Sequence, residues 1–388
     1  MFSSHYYLCK MTKVGILGGG QLGRMLLECA PQFDVETFVL ENDETCPASK
    51  LCDHFCKGDI RDYDAVYSFG KLVDCLTIEI EQVNVEALEQ LEKEGKRIIP
   101  KPSVLKTIRN KISQKEFYQQ HQIPSPDFRI TENNAALSKY IDFLPAVHKI
   151  GVGGYDGKGV QILKSQSDIP LGFNEPSVLE KMADIDKEIA VMVAVNESGE
   201  LAVFPPVEMI FDPHLNLLDY QICPANVSAE KLTKAIEIST LLVKKFKSPG
   251  IFAVELFIEK NGDIVVNETA PRVHNSGHHS IEAIATSQFQ MLWQVLLNLP
   301  LGPTNLISSS LMVNIVGAAG NAGPVCYTGM EKLSENPSIF VHLYGKTLTK
   351  PGRKMGHVTA LVSDLNVAAT QAHWIKSTLK AVTAPKEK

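Results

Sequence analysis

A chain of 388 residues is too long for one ordinary hydrophobic core, so we expect two or three domains. Its composition, 44% hydrophobic and 21% charged, is that of a globular protein, and the net charge of −6 argues against a broad nucleic-acid surface. No apolar run approaches the roughly 20 residues of a membrane span, and residues 1–10 lack the apolar stretch of a secretory signal, which together favour a cytoplasmic location. Met11 is a candidate natural start, with residues 1–10 as an upstream extension.

The first recognisable elements are a strand, a glycine turn and a helix. Lys13–Leu17 has the pattern of a buried strand, Gly18–Gly23 reads Gly-Gly-Gly-Gln-Leu-Gly, and residues 24–30 are periodic in apolar side chains. The turn matches G-x-G-x-x-G, and Glu41 follows about 20 residues later, so the dinucleotide fingerprint is formally met. Glycines before a helix N-terminus favour any anion, however, and a phosphate monoester fits as well as a dinucleotide. Both interpretations stay open at this turn.

Strand patterns then alternate with helical ones. Further strands are predicted at 36–40, 72–78 and 96–100, which implies a parallel, doubly wound sheet up to about residue 100. A helix is predicted over Ser103–Gln120. Cys46, Cys52 and Cys56 lie near a histidine, but their spacing fits no standard zinc pattern, so we interpret them as reduced thiols.

A second glycine-rich segment lies between two strands. Ala146–Ile150 leads into Gly151–Gly159, and Val160–Lys164 reads as a returning strand, so the segment is predicted to be a hairpin lid. It is not a Walker A loop, because no Ser or Thr follows Lys158, and no helix follows it as in a dinucleotide fold. Backbone N–H groups of such a loop can fold over phosphates, and Lys149 can reach phosphate oxygens as a point charge. A plain flexible turn is the alternative.

A predicted hairpin further along the chain carries two acids. Strands over 250–258 and 263–268 place Glu255 inside an apolar run and Glu268 at a strand end, next to Asn267. A buried carboxylate is costly unless it is paired or metal-bound, and Mg²⁺ takes one or two carboxylates plus substrate phosphates. A solvated glutamate on an edge strand is the alternative for Glu255.

The polar segment after this hairpin supplies Arg272, His274, His278 and His279. A guanidinium four residues beyond Glu268 suits a second anion, because its planar fork binds carboxylate or phosphate bidentately. A long helix is predicted over 280–298, a strand over 308–315, and a small terminal sheet from 341–344 and 354–362. The turn of that sheet carries Arg353 and Lys354, for which anion binding and plain solvated charge both stay open.

Together these segments resemble the N5-carboxyaminoimidazole ribonucleotide synthases, a family of ATP-grasp enzymes, from Lys13 to about Val362. The resemblance rests on the two glycine segments, on Ala270–His278, on Arg353–His357 and on the 77–81 segment Thr-Ile-Glu-Ile-Glu. It implies an α/β and α+β multidomain protein: a doubly wound parallel α/β pre-ATP-grasp domain at 1–104, an ATP-grasp domain at 105–304 with a flap at about 124–182, and a small β-rich C-terminal domain at 305–388.

The resemblance also implies a role for individual residues. ATP would be held by Lys111, Lys149, Gly154, Tyr155, Asp156, Gly157, Lys158, Gly159, Val160, Glu180, Lys181, Met182, Ala183, Glu188, His214, Asn267 and Glu268. Mg²⁺ would be held by Glu255 and Glu268. The second substrate, 5-aminoimidazole ribonucleotide, would contact Gln21, Tyr155, Asp156, Arg272, His274, Asn275, Arg353 and Lys354. The catalytic set would be Asp156, Lys149, Arg272 and His274, with Asp156 accepting the amine proton.

The activity implied is ATP-dependent carboxylation of that ribonucleotide with bicarbonate, in a protein that is a homodimer in the family and binds neither nucleic acid nor membrane. Two alternatives stay open. A formate-dependent glycinamide ribonucleotide transformylase has the same fold, but we expect Glu where Gln21 stands and Asp-Thr where Asn275-Ser276 stands. An NAD-dependent oxidoreductase built on Gly18–Gly23 would leave the second glycine segment unexplained.

Overall fold

The N-terminal part is an open parallel sheet covered by helices on both faces. The computed structural model describes residues 11–154, 159–213, 215 and 217–385. The elements of this part are β1 Thr12–Leu17, α1 Gln21–Cys29, β2 Val35–Glu41, β3 His54–Lys57, α2 Tyr63–Lys71, β4 Cys75–Ile78, α3 Val85–Lys93, β5 Arg97–Ile99 and α4 Pro102–Arg109. The strand order is β3-β2-β1-β4-β5, and every pairing is parallel. The predicted doubly wound sheet is confirmed, and the sequence analysis missed β3.

Parallel pairing brings the carboxyl ends of three strands to one edge. β1 ends at Leu17, β2 at Glu41 and β4 at Ile78, with Leu17 in register with both Leu40 and Ile78. The first glycine turn, Glu41 and Glu79 therefore meet at this edge. Ligands of open α/β sheets bind outside the carboxyl ends of the strands.

The single helix predicted over Ser103–Gln120 is wrong, because the chain breaks at Asn110 into α4 and α5 Lys111–Gln120. Asn110 has an extended backbone, and its side-chain oxygen accepts hydrogen bonds from the N–H groups of Ile112 and Ser113. An asparagine in this position caps a new helix. The break has a consequence for the site, because the backbone N–H of Lys111 donates to the carbonyl of Gly151 at 2.8 Å.

The second glycine segment lies in a small antiparallel sheet. Its strands are β6 Phe128–Thr131, β7 Ala146–Ile150, β8 Val160–Leu163 and β9 Ser177–Lys181, in the order β6-β9-β7-β8. β7 and β8 pair in antiparallel register from Ala146 opposite Leu163 to Lys149 opposite Val160. The predicted hairpin around the glycine segment is therefore confirmed.

A large antiparallel sheet forms the centre of the molecule. Its first strands and the helices that accompany it are β10 Ile185–Val195, β11 Leu201–Val203, β12 Val207–Asp212, β13 Leu217–Cys223, α6 Ala229–Phe246, β14 Gly250–Glu259, β15 Ile264–Ala270, α7 Ser280–Ala283 and α8 Gln288–Leu296. β14 lies between β10 and β15, so Glu255 is on an interior strand and the edge-strand alternative is wrong.

The long helix predicted over 280–298 is also wrong. Ile284 is extended and forms a bridge with Leu306, and Ser287 begins α8 with a capping box to Gln290. A capping box satisfies two otherwise unpaired N–H groups, which makes a new helix start favourable at that serine. α8 then packs on α1, where the indole N–H of Trp293 donates to the carbonyl of Leu26 at 2.8 Å.

The C-terminal elements are β16 Ser310–Val316, β17 Gly323–Thr328, α9 Met330–Ser334, β18 Ile339–Leu343, β19 Leu348–Thr349, β20 Lys354–Leu361, α10 Ala368–Thr378 and β21 Lys380–Thr383. The predicted pairing of 341–344 with 354–362 is confirmed, since β18 pairs with β20, but these strands extend the central sheet through β16 and β13 and do not form a small terminal sheet. β17, β19 and β21 form a smaller sheet of their own. This continuity fixes Lys354, the first residue of β20, relative to the central sheet.

Two findings concern membranes and metals. No helix in the described part of the chain combines the length and apolar character needed to cross a bilayer. Cys46, Cys52 and Cys56 are free thiols, and burial raises the pKa of each of them. Within residues 11–154, 159–213, 215 and 217–385, no group of three or more His, Cys, Asp or Glu side chains is arranged for a metal ion.

Candidate active site

Two carboxylates face each other across the β14–β15 hairpin. Glu255 is in register with Glu268, and the pairing shifts at a bulge between Glu255 and Leu256. Burial, with repulsion from Glu268 and Glu188, raises the pKa of Glu255. Lys111 holds the pKa of Glu268 well below its usual range, with its ammonium 3.0 Å from the Oε2 atom. The pair suits a divalent cation that completes its shell with substrate oxygens, as Mg²⁺ does.

A cluster of lysines lies beside this pair. The ammonium of Lys149 donates to Glu180 Oε2 at 2.9 Å and to Asn267 Oδ1 at 3.1 Å. Lys115 approaches the same Glu180 oxygen at 3.4 Å. Burial alone would raise the pKa of Glu180, but Lys149 and Lys115 together hold it below its usual value. The Glu180 carboxylate, one of the residues predicted to hold ATP, is thus held by two cations.

A cavity of about 410 Å³ opens between the small sheet and the central sheet. Of the predicted nucleotide and metal residues, it is lined by Lys111, Lys149, Val160, Glu180, Lys181, Met182, Ala183, Glu188, Glu255, Asn267 and Glu268. His274, Asn275 and Lys354 line it as well. Burial raises the pKa of Glu188 to about 7. The lining combines apolar side chains, among them Met209 and Phe211, with lysines and carboxylates, a combination that suits a nucleotide.

A second cavity, of about 610 Å³, lies on the other side of Glu268. Its lining includes Arg272, part of the glycine loop, and Ile80, Glu81, Gln82 and Arg109. Lys111, Glu268 and His274 line both cavities, so these three side chains form their common wall. Almost half of the Glu268 side chain (47%) is accessible, as expected for a residue that faces two open spaces.

Arg272 and His274 have defined partners in this wall. The guanidinium Nε of Arg272 lies 2.9 Å from Glu81 Oε1, and its Nη1 donates to the carbonyl of Val273. Burial, with repulsion from Arg272 and Lys354, lowers the pKa of His274 to about 3. His274 is therefore neutral at ordinary pH, and its 3.7 Å approach to Glu255 is a contact of a neutral imidazole with a carboxyl group.

The first glycine turn is filled by side chains of the protein itself. The N–H of Gly19 donates to Glu41 Oε2 at 3.0 Å, and the N–H of Leu22 donates to Glu79 Oε1 at 3.1 Å. Burial raises the pKa of Glu79 despite attraction by Arg272. The carboxylates of Glu41 and Glu79 thus accept hydrogen bonds from the N–H groups with which this turn would bind a dinucleotide phosphate.

Gln21 in this turn is connected to the C-terminal strands. Its Oε1 atom accepts a hydrogen bond from the ammonium of Lys346 at 2.6 Å, and the same ammonium donates to the carbonyl of Lys354 at 2.7 Å. Arg353, by contrast, donates to the carbonyl of Leu348 and lines neither cavity. Lys354 is thus brought to the site, and its neighbour Arg353 is not.

The remaining predicted residues belong to the second glycine segment and a nearby loop. Tyr155, Asp156, Gly157, Lys158 and His214 lie outside the described residues. The segment is described up to Gly154, which lines the second cavity, and again from Gly159, whose carbonyl accepts from the N–H of Ile150. Gly159 has φ +80°, a conformation that favours glycine.

Sequence reasoning assigned no role to Lys115, Glu79, Glu81 or Lys346, which the structure brings to the site. Lys115 could have been found, because it follows Lys111 by one helical turn and shares its face. Glu79 and Glu81 stand at the carboxyl end of β4, a position that is itself a signal. Lys346 follows a strand in the C-terminal part, and no local pattern distinguishes it from a solvated lysine.

Comparison with known proteins extends this picture along the chain. Family models match residues 11–109 (ribonucleotide synthetase preATP-grasp domain), 116–289 (ATP-grasp domain) and 310–371 (phosphoribosylaminoimidazole carboxylase C-terminal domain). The N5-carboxyaminoimidazole ribonucleotide synthase of Synechococcus elongatus is 32% identical over 95% of this chain and 95% of its own length. The chloroplastic phosphoribosylaminoimidazole carboxylase of Vigna aconitifolia is 38% identical over 91% of this chain, which spans only 64% of that relative.

A solved structure gives the same result in three dimensions. The crystal structure of N5-carboxyaminoimidazole synthase from Aspergillus clavatus in complex with ADP and 5-aminoimidazole ribonucleotide superposes with a TM-score of 0.86 at 33% identity. The match covers 95% of this chain and 98% of that chain. The likeness therefore includes the parallel sheet, the central sheet and the C-terminal strands.

Proposed function

Because the chain belongs to the N5-carboxyaminoimidazole ribonucleotide synthase family of ATP-grasp enzymes, we propose that it carboxylates 5-aminoimidazole ribonucleotide. The reaction uses ATP and bicarbonate and gives N5-carboxyaminoimidazole ribonucleotide, ADP and phosphate, as a step of purine synthesis. One observation carries this proposal: two cavities share a wall made of Lys111, Glu268 and His274. Such an arrangement lets a nucleotide on one side activate a small anion next to a second substrate on the other.

The nucleotide is assigned to the cavity under the small sheet. Lys111 and Lys149 are among the cations that line it, and Val160, directly after the second glycine segment, lines it as well. Met182 and Ala183 supply apolar surface for the base. These residues fit phosphate binding by point charges and backbone N–H groups rather than by a Walker A loop.

Glu255 and Glu268 fit Mg²⁺, since they are opposed in register and the burial of Glu255 makes its lone ionisation unfavourable. Bound there, the ion would neutralise charge on the phosphates during transfer. Asn267 is next to Glu268 and already accepts a hydrogen bond from Lys149. A site of two carboxylates needs oxygens from the substrate, which ties the ion to the nucleotide.

The ribonucleotide is assigned to the second cavity and to the edge of the parallel sheet beside it. Arg272 is held there by Glu81, and Gln21, Lys346 and Lys354 form a connected group beside the first glycine turn. This group gives a phosphate monoester two lysines as point charges. Asn275 lines the nucleotide cavity, and neither polar atom of its buried side chain has a hydrogen-bond partner among the described residues, so it fits a contact with substrate where the two cavities meet.

The chemistry needs positioned charge rather than a covalent nucleophile. A bicarbonate oxygen attacks the γ-phosphorus of ATP, ADP leaves, and the carboxyphosphate formed releases CO₂ and phosphate inside the closed site. The amine nitrogen of the ribonucleotide then attacks CO₂, and its proton passes to a base, for which Asp156 is our candidate. Closing the glycine loop would exclude the water that hydrolyses carboxyphosphate.

The decisive experiment measures ADP release by a coupled assay. We expect release that requires both bicarbonate and 5-aminoimidazole ribonucleotide, and none above background with glycinamide ribonucleotide plus formate. Equal rates with both substrate pairs would contradict the proposal, and so would release that ignores the ribonucleotide.

The formate-dependent transformylase remains the alternative within this fold. Gln21 and Asn275-Ser276 argue against it, because we expect Glu and Asp-Thr at these positions in that enzyme. The NAD-dependent alternative is disfavoured by Glu41 and Glu79, whose carboxylates accept the hydrogen bonds of the first glycine turn. NADH should therefore leave the melting temperature unchanged at concentrations where MgADP raises it.

The proposal has two further parts, the oligomeric state and the location. We propose a homodimer, which sedimentation at several concentrations would distinguish from a monomer. We also propose a cytoplasmic location, which fits the finding that no helix among the described residues is suited to cross a bilayer. Fractionation of cells expressing the full chain would test it.

A further inference from the structure

Lys115 is a buried lysine that lines neither cavity. Its side chain is 1% exposed, and its ammonium lies 3.4 Å from Glu180 Oε2 and 5.9 Å from the centre of the Tyr118 ring. It is absent from the lining of both spaces in the described part of the chain. A full charge in such a position is costly unless it serves a partner.

Its partner, Glu180, is shared with a lysine that does face the nucleotide cavity. Lys149 donates to the same Oε2 atom at 2.9 Å, and its side chain is 12% exposed, against 4% for Glu180. Two cations therefore compete for one buried oxygen. Lys149 lines the nucleotide cavity, whereas Lys115 is buried and does not line it.

The shared contact of Lys149 and Lys115 with Glu180 affects the binding of the nucleotide phosphates. For Lys149 to bind a phosphate oxygen, its ammonium must weaken its contact with Glu180. A buried carboxylate left without a cation is strongly destabilised, and that cost would be subtracted from nucleotide binding. A second cation that stays on Glu180 removes the cost.

We propose that Lys115 is a positioning residue, a permanent counter-ion of Glu180 that releases Lys149 to the nucleotide phosphates. This inference rests on the assignment of the nucleotide to the cavity that Lys149 lines. Lys115 does not touch the substrates and acts through Glu180 and Lys149.

The placement of Lys115 fits this role. It lies one turn after Lys111 on α5, so one helix face supplies both the lysine that pairs with Glu268 and the lysine that pairs with Glu180. Burial lowers the pKa of Lys115 to about 8, against the attraction of Glu180, so it is largely charged at neutral pH. The capping of α5 at Asn110 defines where the helix starts, and with it the backbone positions of Lys111 and Lys115.

The test compares the affinity for MgADP in a double-mutant cycle on the full chain. Lys115→Met keeps the length of the side chain and removes its charge, and we expect MgADP binding to weaken about tenfold, since Glu180 then retains Lys149. Glu180→Gln removes the need for a counter-ion. In that background, Lys115→Met should change MgADP affinity by less than about twofold. Lys106→Met, which removes an exposed lysine paired with Glu89 on α3, is the matched control and should bind like the unmodified protein.

The outcomes separate the possibilities. If Lys115→Met lowers the melting temperature but its folded fraction binds MgADP with unchanged affinity, the lysine is merely structural and the inference is wrong. If Lys115→Met weakens binding equally with and without Glu180→Gln, it does not act through Glu180, and the inference is again wrong. If Lys115→Met alone does not fold, the comparison of Glu180→Gln with the double variant decides. Failure of the unmodified protein to bind MgADP would instead overturn the assignment of the nucleotide cavity.

Discussion

The two glycine-rich turns of this protein look alike in sequence and differ in what surrounds them. At Gly18–Gly23, carboxylates of Glu41 and Glu79 accept hydrogen bonds from the backbone, and both lie at the edge of the same parallel sheet. At Gly151–Gly159, the described residues border open cavities, with Lys111 and Lys149 nearby. The first turn is lined by negative charge and the second by positive charge.

This difference shows that a glycine pattern alone does not identify a nucleotide site. Glycines allow close approach of a ligand in both places, but the charge opposite the N–H groups decides which ligand is favoured. A carboxylate opposite the turn favours hydroxyl groups and disfavours a polyphosphate. This contrast supports our proposal that the nucleotide binds near the second turn and that the first turn borders the site of the other substrate.

The largest effect is expected from a change at Glu268, which lies in the wall that the two cavities share. Glu268→Gln should lower ADP release by about 100-fold or more, because a proposed metal ligand and the partner of Lys111 are lost together. Glu259→Gln on the same β14–β15 hairpin is the control and should retain activity, since Glu259 lies at the far end of β14. Steady-state ADP release and far-UV circular dichroism would be measured on both. Retained activity in a folded Glu268→Gln variant would remove this residue from the metal site.

Arg272→Ala tests the assignment of the ribonucleotide to the second cavity. We expect KM for the ribonucleotide to rise about 10- to 100-fold while MgADP affinity changes little, because Arg272 lines only the second cavity. Loss of the ion pair with Glu81 will add to the effect, so Glu81→Gln is the matched variant and should raise this KM less. An Arg272→Ala variant that loses only nucleotide affinity would show that the two cavities have been assigned the wrong way round.

Much of this comparison could be derived from sequence, because it depends on local patterns. Short apolar runs predicted β1, β2, β14 and β15, and the returning strand pattern after Gly159 predicted the hairpin lid. Glu268 was singled out because it ends a predicted strand, and Arg272 because it follows that strand. In each case, neighbours in the chain determine the conformation.

The sequence analysis failed where a single capping residue sets a helix boundary, or where a partner distant in sequence determines strand pairing or a side-chain contact. Asn110 and Ser287 each end a helical pattern by capping a new helix, although the apolar periodicity continues through them. The pairing of β16 with β13 joins the C-terminal strands to the central sheet, which no local pattern reveals. Lys115 and Lys346 acquire their roles only through contacts with Glu180 and Gln21, far away in sequence.

A smaller effect is expected from Gly159→Ala at the base of the second turn. Gly159 has φ +80°, and an added Cβ would lie 2.5 Å from Ile150 Cγ2, so the base of the loop must shift. A left-handed conformation costs an L-residue about 1–2 kcal/mol, and we expect MgADP affinity to fall about tenfold. Gly199→Ala is the control, because it has φ +82° with nothing within 4 Å of its added Cβ, in a turn that lines neither site cavity. Equal losses in both variants would mean that strain alone, and not the loop, lowers the affinity.

The smallest effect is expected from Gly20→Ala in the first turn. Gly20 has an extended backbone that alanine can adopt, but an added Cβ would meet the carboxylate of Glu79. Glu79 would have to move, which would disturb its hydrogen bond with the N–H of Leu22 at the helix start. We expect a rise of about threefold in KM for the ribonucleotide, from the loss of about one hydrogen bond, and no change in MgADP affinity. Isothermal titration with MgADP, together with initial rates over a range of ribonucleotide concentrations, separates the two. A loss of nucleotide affinity here would mean that the first turn contacts the nucleotide after all, and the contrast between the two turns would then have to be abandoned.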